Sequence, residues 1–139
     1  MGKVLVSVKI ENLSDLYAAS QGTIATDTCR TVEVADALVD TGASGLSMPR
    51  SLIQQLGLTP FGRRVARSDT GNVELQVFSA VRLSVQDRDC ICDVTELPDA
   101  SPVRLGKIAL HMLDFVVDPV GQRLICNPAH GGEHMIELY

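Results

Sequence analysis

Alternation of apolar and polar residues dominates the chain and predicts strands with one buried face. The alternating stretches are residues 3–10, the start of 31–40, and most of 63–94. In the second stretch the pattern becomes fully apolar at Ala37, Leu38 and Val39, which predicts a strand that enters the middle of the fold. Turn-forming residues separate these strands, so the pattern favours a mostly β domain.

Two short segments change from a period of two to helical spacing. Ser47 and Pro49 are interpreted as a helix start, and "RSLIQQLG" then provides an apolar face that ends at Gly57. The segment "VRLGKIALHML", residues 103–113, also places its apolar residues at helical spacing. By contrast, residues 11–30 are polar and rich in small side chains, and are interpreted as a loop or an irregular hairpin.

Composition narrows the class of protein. The 139 residues fit a single domain spanning 1–139, with a core of aliphatic side chains because only 4% of the residues are aromatic. The net charge of -5 argues against nucleic acid as a partner. No stretch is long and apolar enough to cross a bilayer, and "MGKVLVSVKI" lacks the apolar run of a signal peptide, so a cytoplasmic protein with reduced thiols and no membrane partner is expected.

The tripeptide Asp-Thr-Gly occurs twice, in "ALVDTGASG" at 37–45 and in "RSDTGNVEL" at 67–75. Asp40 follows the apolar run, so its carboxylate is expected to end a buried strand in a partly desolvated place, where a pKa can shift. The alternative for Asp40 is a structural acid in a turn. Asp69 lies between two alternating stretches among turn-forming residues, which predicts a hairpin tip.

The first tripeptide, the hairpin tip at 69–72 and "VRLGKIAL" at 103–110 follow one another in a characteristic order. In this order they resemble the retropepsin-like aspartic proteases, including bacterial relatives of the retroviral enzymes, over residues from about 32 to 127. The resemblance implies a mostly β fold, a closed acid-protease β-barrel with a flap hairpin and one or two short helices. It also implies an aspartic endopeptidase that acts on a peptide or protein substrate.

The resemblance also implies a role for particular residues. Asp40 would be catalytic. Thr41 would hold the active-site loop through its hydroxyl, and Gly42 would offer its N–H to a carboxylate. The other assigned residues are Ala43 in the same loop, Asp69, Thr70, Gly71 and Asn72 in the flap, and Leu105 and Gly106 as support for the substrate pocket.

Aspartic protease chemistry needs two carboxylates that share one proton, because like charges close together cannot both ionise easily. Asp40 and Asp69 are too close in sequence to belong to two lobes of one chain. The second acid is therefore expected from another subunit of a homodimer, with Asp40 of each chain at a twofold axis. No cofactor is expected.

Some residues depart from the family pattern. Arg104 stands where the family usually has Leu or Ile, and Lys107 follows the glycine where the retroviral enzymes carry Arg. These departures keep open a second function, a noncatalytic dimerisation or peptide-binding module with the same fold. His130 and His134 in "HGGEH" suggest metal ligands, but the two glycines oppose the helix that would align them, so no metal site is predicted.

Overall fold

The computed structural model describes residues 3–136 and 138. Its described part contains nine strands, three α-helices and two 3-10 helices, Thr26–Thr28 and Pro128–His130. The strands are β1 Leu5–Asn12, β2 Thr31–Val39, β3 Leu46–Pro49, β4 Pro60–Ser68, β5 Gly71–Val85, β6 Arg88–Leu97, β7 Arg104–Leu105, β8 Phe115–Asp118 and β9 Arg123–Cys126. The α-helices are α1 Leu13–Ser20, α2 Arg50–Leu56 and α3 Lys107–Leu113.

Six strands close into a barrel in the order β1-β2-β7-β3-β6-β5, with β5 pairing back onto β1. The barrel is mixed, because β2 pairs with β7 and β3 pairs with β6 in parallel while the other neighbours are antiparallel. Strand β4 pairs only with β5 and extends the sheet outside the closed ring. Strands β8 and β9 form a separate hairpin. The predicted fold class, a closed acid-protease β-barrel, is confirmed.

The core follows from the alternation that the sequence displays. Val81, Leu83 and Val85 of β5 are completely buried, whereas Arg82 between them faces outward. Helices α2 and α3 cover the barrel with their apolar faces, and Leu56 and Leu113 have no exposed surface. Each aliphatic side chain that is fully removed from water contributes about 1.5–3 kcal/mol.

Two elements differ from the sequence predictions. Residues 13–20 form helix α1 within segment 11–30, for which the sequence predicts a loop or an irregular hairpin, so the described residues contain three α-helices rather than one or two. Asn12 caps this helix by accepting a hydrogen bond from the N–H of Asp15. Ser47 does not start a helix: it lies in β3, which pairs with β6 and β7, and α2 begins at Arg50.

Strands β4 and β5 form a long hairpin whose turn is Asp69 and Thr70, between the paired residues Ser68 and Gly71. Gly71 has a φ of 119°, a backbone conformation that glycine adopts without strain. The Ser68 hydroxyl donates to the Gly71 carbonyl at 2.7 Å and fastens the turn. The structure therefore has a hairpin tip where the sequence predicts one.

Within the described residues, every helix is too short or too polar to cross a membrane. The four cysteines carry free thiols in the structure.

Candidate active site

Asp40 begins the loop that follows β2, and short-range hydrogen bonds fix it. Its backbone N–H donates to the carbonyl of Leu105 in β7 at 2.9 Å, so the parallel pairing of β2 and β7 determines where the loop starts. Its Oδ1 accepts a hydrogen bond of 3.0 Å from the N–H of Gly42, as the sequence analysis expected for this glycine. The Ala43 N–H donates to the Asp40 carbonyl at 3.0 Å. The carboxylate is thus held by its own loop.

The turn that leads into α3 supports the loop from behind. Three backbone N–H groups there donate to consecutive loop carbonyls: Gly106 to Gly45 at 2.9 Å, Lys107 to Ala43 at 3.0 Å, and Ile108 to Ser44 at 2.8 Å. A Cβ at Gly106 would lie 2.4 Å from the Ser44 carbonyl carbon, closer than any side chain can approach. Only glycine therefore lets the two segments pack at this distance.

The carboxylate of Asp40 is less buried than the sequence suggested. Its side chain is 32% exposed, and Leu38 and Val39 before it are only half-buried. The expectation of a buried strand before Asp40 is therefore met only in part: β2 keeps polar residues up to Asp36, and its last residues lie at the edge of the core. Thr41 is exposed, and its hydroxyl makes no hydrogen bond to the described residues, so backbone bonds hold the loop within one chain.

Arg104 is the nearest charged partner of Asp40. Its Nη1 lies 3.6 Å from the Asp40 Oδ2, which is within the range of an ion pair but too long for a hydrogen bond. Its Nε is buried and has no hydrogen-bond partner among the described residues. Leu105, the next residue of β7, points the opposite way and is fully buried in the core.

A cavity of about 750 Å³ lies between the Asp40 loop and the hairpin. Four parts of the chain line it: the loop and start of β3, the β4–β5 hairpin, β6, and α3. The lining residues are Gly42, Ala43, Ser44, Gly45, Leu46, Ser47, Arg64, Val65, Ala66, Arg67, Leu75, Ile91, Cys92, Asp93, Thr95, Ile108, Ala109 and Met112. The fold thus brings the loop of the first tripeptide and the hairpin that carries the second to the same cavity.

Strand β6 and the exposed face of α3 also line this cavity, a contribution that the sequence pattern does not predict. Ile91, Ile108 and Met112 are exposed apolar side chains, and they line the cavity together with Cys92. The alternation of apolar and polar residues shows which side chains share a face of a strand or helix, but it does not show whether an apolar face is covered. The exposure of these three side chains could therefore not be predicted from the sequence. A hydrogen bond with Cys90 and burial raise the pKa of the Cys92 thiol, so this cysteine is protonated and unsuited to nucleophilic chemistry.

The acids and histidines near the end of α3 have structural contacts. Asp114 caps α3 in the left-handed conformation and is bonded to Nδ1 of His130, which lowers the pKa of this carboxyl to about 2. Asp118 accepts from the N–H of Val120 in the turn between β8 and β9. His134 Nε2 contacts the Met112 carbonyl at 2.9 Å. The described residues contain no group of three ligands able to hold a metal ion.

Comparison with known proteins gives one family match. A family model described as aspartyl protease matches residues 27–128 of the 139-residue chain. No curated protein matches the chain. The matched span contains the Asp40 loop, the β4–β5 hairpin and the Gly106 turn, whereas β1 and α1 precede it.

Proposed function

The chain belongs to the aspartyl protease family, and on this premise we propose that it is an aspartic endopeptidase active as a homodimer. In this proposal, two Asp40 carboxylates, one from each subunit, activate the water that hydrolyses a peptide bond. The observation that carries the proposal is the geometry at Asp40. A carboxylate fixed by the Gly42 N–H stays partly exposed beside a cavity large enough for a peptide segment.

The number of suitable acids supports the homodimer. Asp69 lies in the turn of the β4–β5 hairpin, on a different element from the Asp40 loop; residues 42–45 of that loop line the cavity, whereas none of residues 69–72 does. One chain therefore offers a single loop of the required kind, while the chemistry needs two acids that share a proton. A twofold axis beside Asp40 would supply the second loop, and the exposed hydroxyl of Thr41 would then face its counterpart.

The mechanism follows from two carboxyl groups in different protonation states. The ionised Asp40 takes a proton from the water while the water oxygen attacks the peptide carbonyl carbon. The protonated Asp40 donates its proton to the carbonyl oxygen. The resulting diol collapses when the C–N bond breaks: the leaving nitrogen receives the proton that the first Asp40 took from the water, and one hydroxyl of the diol returns its proton to the second Asp40. Because the two groups are coupled, the pH profile of the rate reports the pair rather than one residue.

The β4–β5 hairpin would act as the flap. Residues 64–67 of β4 line one wall of the cavity, and the hairpin extends outside the closed barrel with both faces largely exposed. Few apolar contacts hold it, so it can move and close over a bound peptide. An extended peptide would bind through main-chain hydrogen bonds, and Val65, Ile91 and Met112 would provide apolar surface for its side chains.

Cleavage assays with matched Asp→Asn substitutions test the proposal. The purified protein is incubated with a diverse peptide mixture at about pH 4 to 7, and the products are identified by mass spectrometry. Asp40→Asn should abolish cleavage. Asp69→Asn, the same change in the second copy of the tripeptide, should retain it. Sedimentation verifies that each variant is dimeric. Equal background cleavage by the dimeric wild type and Asp40→Asn would refute the endopeptidase.

One observation favours a second function, a noncatalytic peptide-binding module with the same fold. The Arg104 guanidinium lies beside the Asp40 carboxylate and partly neutralises it, as a purely structural ion pair would. The same assay distinguishes the two functions, because a binding module would retain peptides without cleaving them. Under that alternative, the wild type would not hydrolyse peptides, and Asp40→Asn would change only how tightly a peptide binds.

A further inference from the structure

The arginines of this chain fall into two groups according to their partners. Six donate hydrogen bonds to carboxylates or backbone carbonyls, and a seventh, Arg123, forms an ion pair with Asp118. Arg67 and Arg104 donate no hydrogen bond to any of the described residues. Both lie at the candidate active site, one on the hairpin and one beside Asp40.

Arg104 is placed to receive an anionic group. Its side chain is 40% exposed, its Nη1 is 3.6 Å from the nearest carboxylate oxygen, and its buried Nε has no partner. A guanidinium has five N–H donors arranged to bond a carboxylate in a bidentate manner. The buried Nε is out of reach of a ligand, but the terminal nitrogens at the exposed end of the guanidinium also donate no hydrogen bond to the described residues, so a carboxylate that entered the site would gain theirs.

Arg67 adds a second positive charge to the wall of the cavity. It belongs to β4, and its neighbour Arg64 on the same wall is already bonded to Asp93 at 2.6 Å. Arg67 forms no ion pair with the described residues. A protein with a net charge of -5 therefore keeps two such arginines at this site: Arg67, which has no ion pair with the described residues, and Arg104, whose ion pair with Asp40 leaves its hydrogen-bond donors unfilled. Such a local field favours an acidic ligand over a neutral or basic one.

We propose that this site selects peptides with an acidic side chain, Asp or Glu, next to the scissile bond, and that Arg104 is the residue that determines this specificity. The proposal rests on the endopeptidase function given above. Because Arg104 lies beside Asp40, the residue that it binds must adjoin the bond that is cut. Arg67 on the hairpin strengthens the preference for acidic peptides.

Pairs of peptides that differ only in Glu against Gln next to the cleaved bond test this specificity. The peptide sequence used for these pairs is one that the wild type cleaves in a peptide library randomised on both sides of the cleaved bond. The wild type should show a kcat/KM roughly tenfold to a hundredfold higher for the Glu peptide, as expected for a charged hydrogen bond. Arg104→Leu should bring the Glu-to-Gln ratio close to one, mainly by raising KM for the Glu peptide. Leu is the residue that the family usually carries at this position, so this variant is expected to fold.

A matched control and a second variant complete the design. Arg123→Leu removes an exposed arginine from the β8–β9 hairpin and should leave the ratio unchanged. Arg67→Leu should lower the ratio less than Arg104→Leu does. If Arg104→Leu fails to form the dimer, Arg104→Gln keeps a polar side chain and provides the same comparison.

Failure of the proposed specificity and failure of the proposed endopeptidase activity give different results. A wild-type ratio near one refutes the specificity while leaving the endopeptidase intact. If Arg104→Leu slows both peptides equally, Arg104 positions Asp40 and does not read the substrate, and the proposal is wrong. Binding of the same peptides to Asp40→Asn, measured by fluorescence anisotropy, provides a readout that does not depend on hydrolysis. If the wild type cleaves nothing, the endopeptidase fails, and a Glu preference in binding that Arg104→Leu abolishes still supports the recognition.

Discussion

Gly106→Ala tests whether close backbone packing positions the Asp40 loop. The added Cβ would lie 2.4 Å from the Ser44 carbonyl carbon, 2.6 Å from its oxygen and 2.8 Å from the Ala43 carbonyl carbon. All three atoms belong to the backbone, so no side chain can rotate away. Ordinary van der Waals contact begins at 3.4 Å, and the two segments must therefore separate by about 1 Å.

The cost of this separation can be worked out from the same contacts. The three hydrogen bonds between the turn and the loop are 2.8 to 3.0 Å long, and moving their partners by about 1 Å would break or weaken them. Overpacking costs about 1–3 kcal/mol and each lost hydrogen bond about 0.5–1.5 kcal/mol. We expect the free energy of unfolding to fall by about 2–4 kcal/mol, and the rate of cleavage to fall roughly a hundredfold through displacement of Asp40.

Urea denaturation measures the first effect, and peptide hydrolysis by the fully folded variant measures the second. Gly62→Ala is the matched control, because a Cβ at Gly62 meets no atom within 4 Å and its φ is negative or extended. This control should change the free energy of unfolding by less than about 1 kcal/mol. An unchanged denaturation midpoint and rate for Gly106→Ala would refute the argument that Gly106 sets the position of the loop.

Two further predictions concern the region around the end of α3. Arg88 is buried and donates to three backbone carbonyls, so Arg88→Met should lower the free energy of unfolding by about 3 kcal/mol or more, measured in urea. Arg82→Met, which removes an exposed ion pair, should cost less than about 1 kcal/mol, and equal losses would contradict the prediction. The hydrogen bond from His130 lowers the pKa of Asp114 to about 2 from an ordinary value of 3.8, so its stabilisation is present above about pH 4 and is lost as the pH falls toward 2. Asp114→Asn should be less stable than the wild type at pH 7, and the difference in thermal midpoint should shrink in acid; a constant difference would show that the charge is not responsible.

The sequence predicts the parts of the site that depend on local pattern. The apolar run before Asp40, the hairpin turn at Asp69 and the glycine before α3 can all be identified within a few residues of chain, and the structure contains each of these elements. Helix α1 also has a local signal, the capping residue Asn12 followed by Leu13 and Leu16 at helical spacing, but the small polar residues after it led to its interpretation as a loop.

Features that depend on pairing between distant segments could not be predicted. Residues 46–49 form a strand only because β6 and β7 lie on either side, and a strand of four residues has too short a pattern to separate it from a helix start. Asp40 and Arg104 are far apart in the sequence and meet because β2 and β7 are parallel neighbours. The unfilled hydrogen-bond donors of Arg67 and Arg104 can be identified only when the partners of the other arginines are known.

Closure of the barrel has a consequence for handling the domain in the laboratory. Strand β1 lies before the family-matched residues 27–128, yet it joins β2 to β5 and leaves neither with an open edge on that side. A fragment trimmed to the matched residues would expose the unpaired backbone of both strands, which can pair with other chains. Fragment boundaries chosen from family similarity alone would therefore open two strand edges, and a fragment that retains β1 is expected to aggregate less.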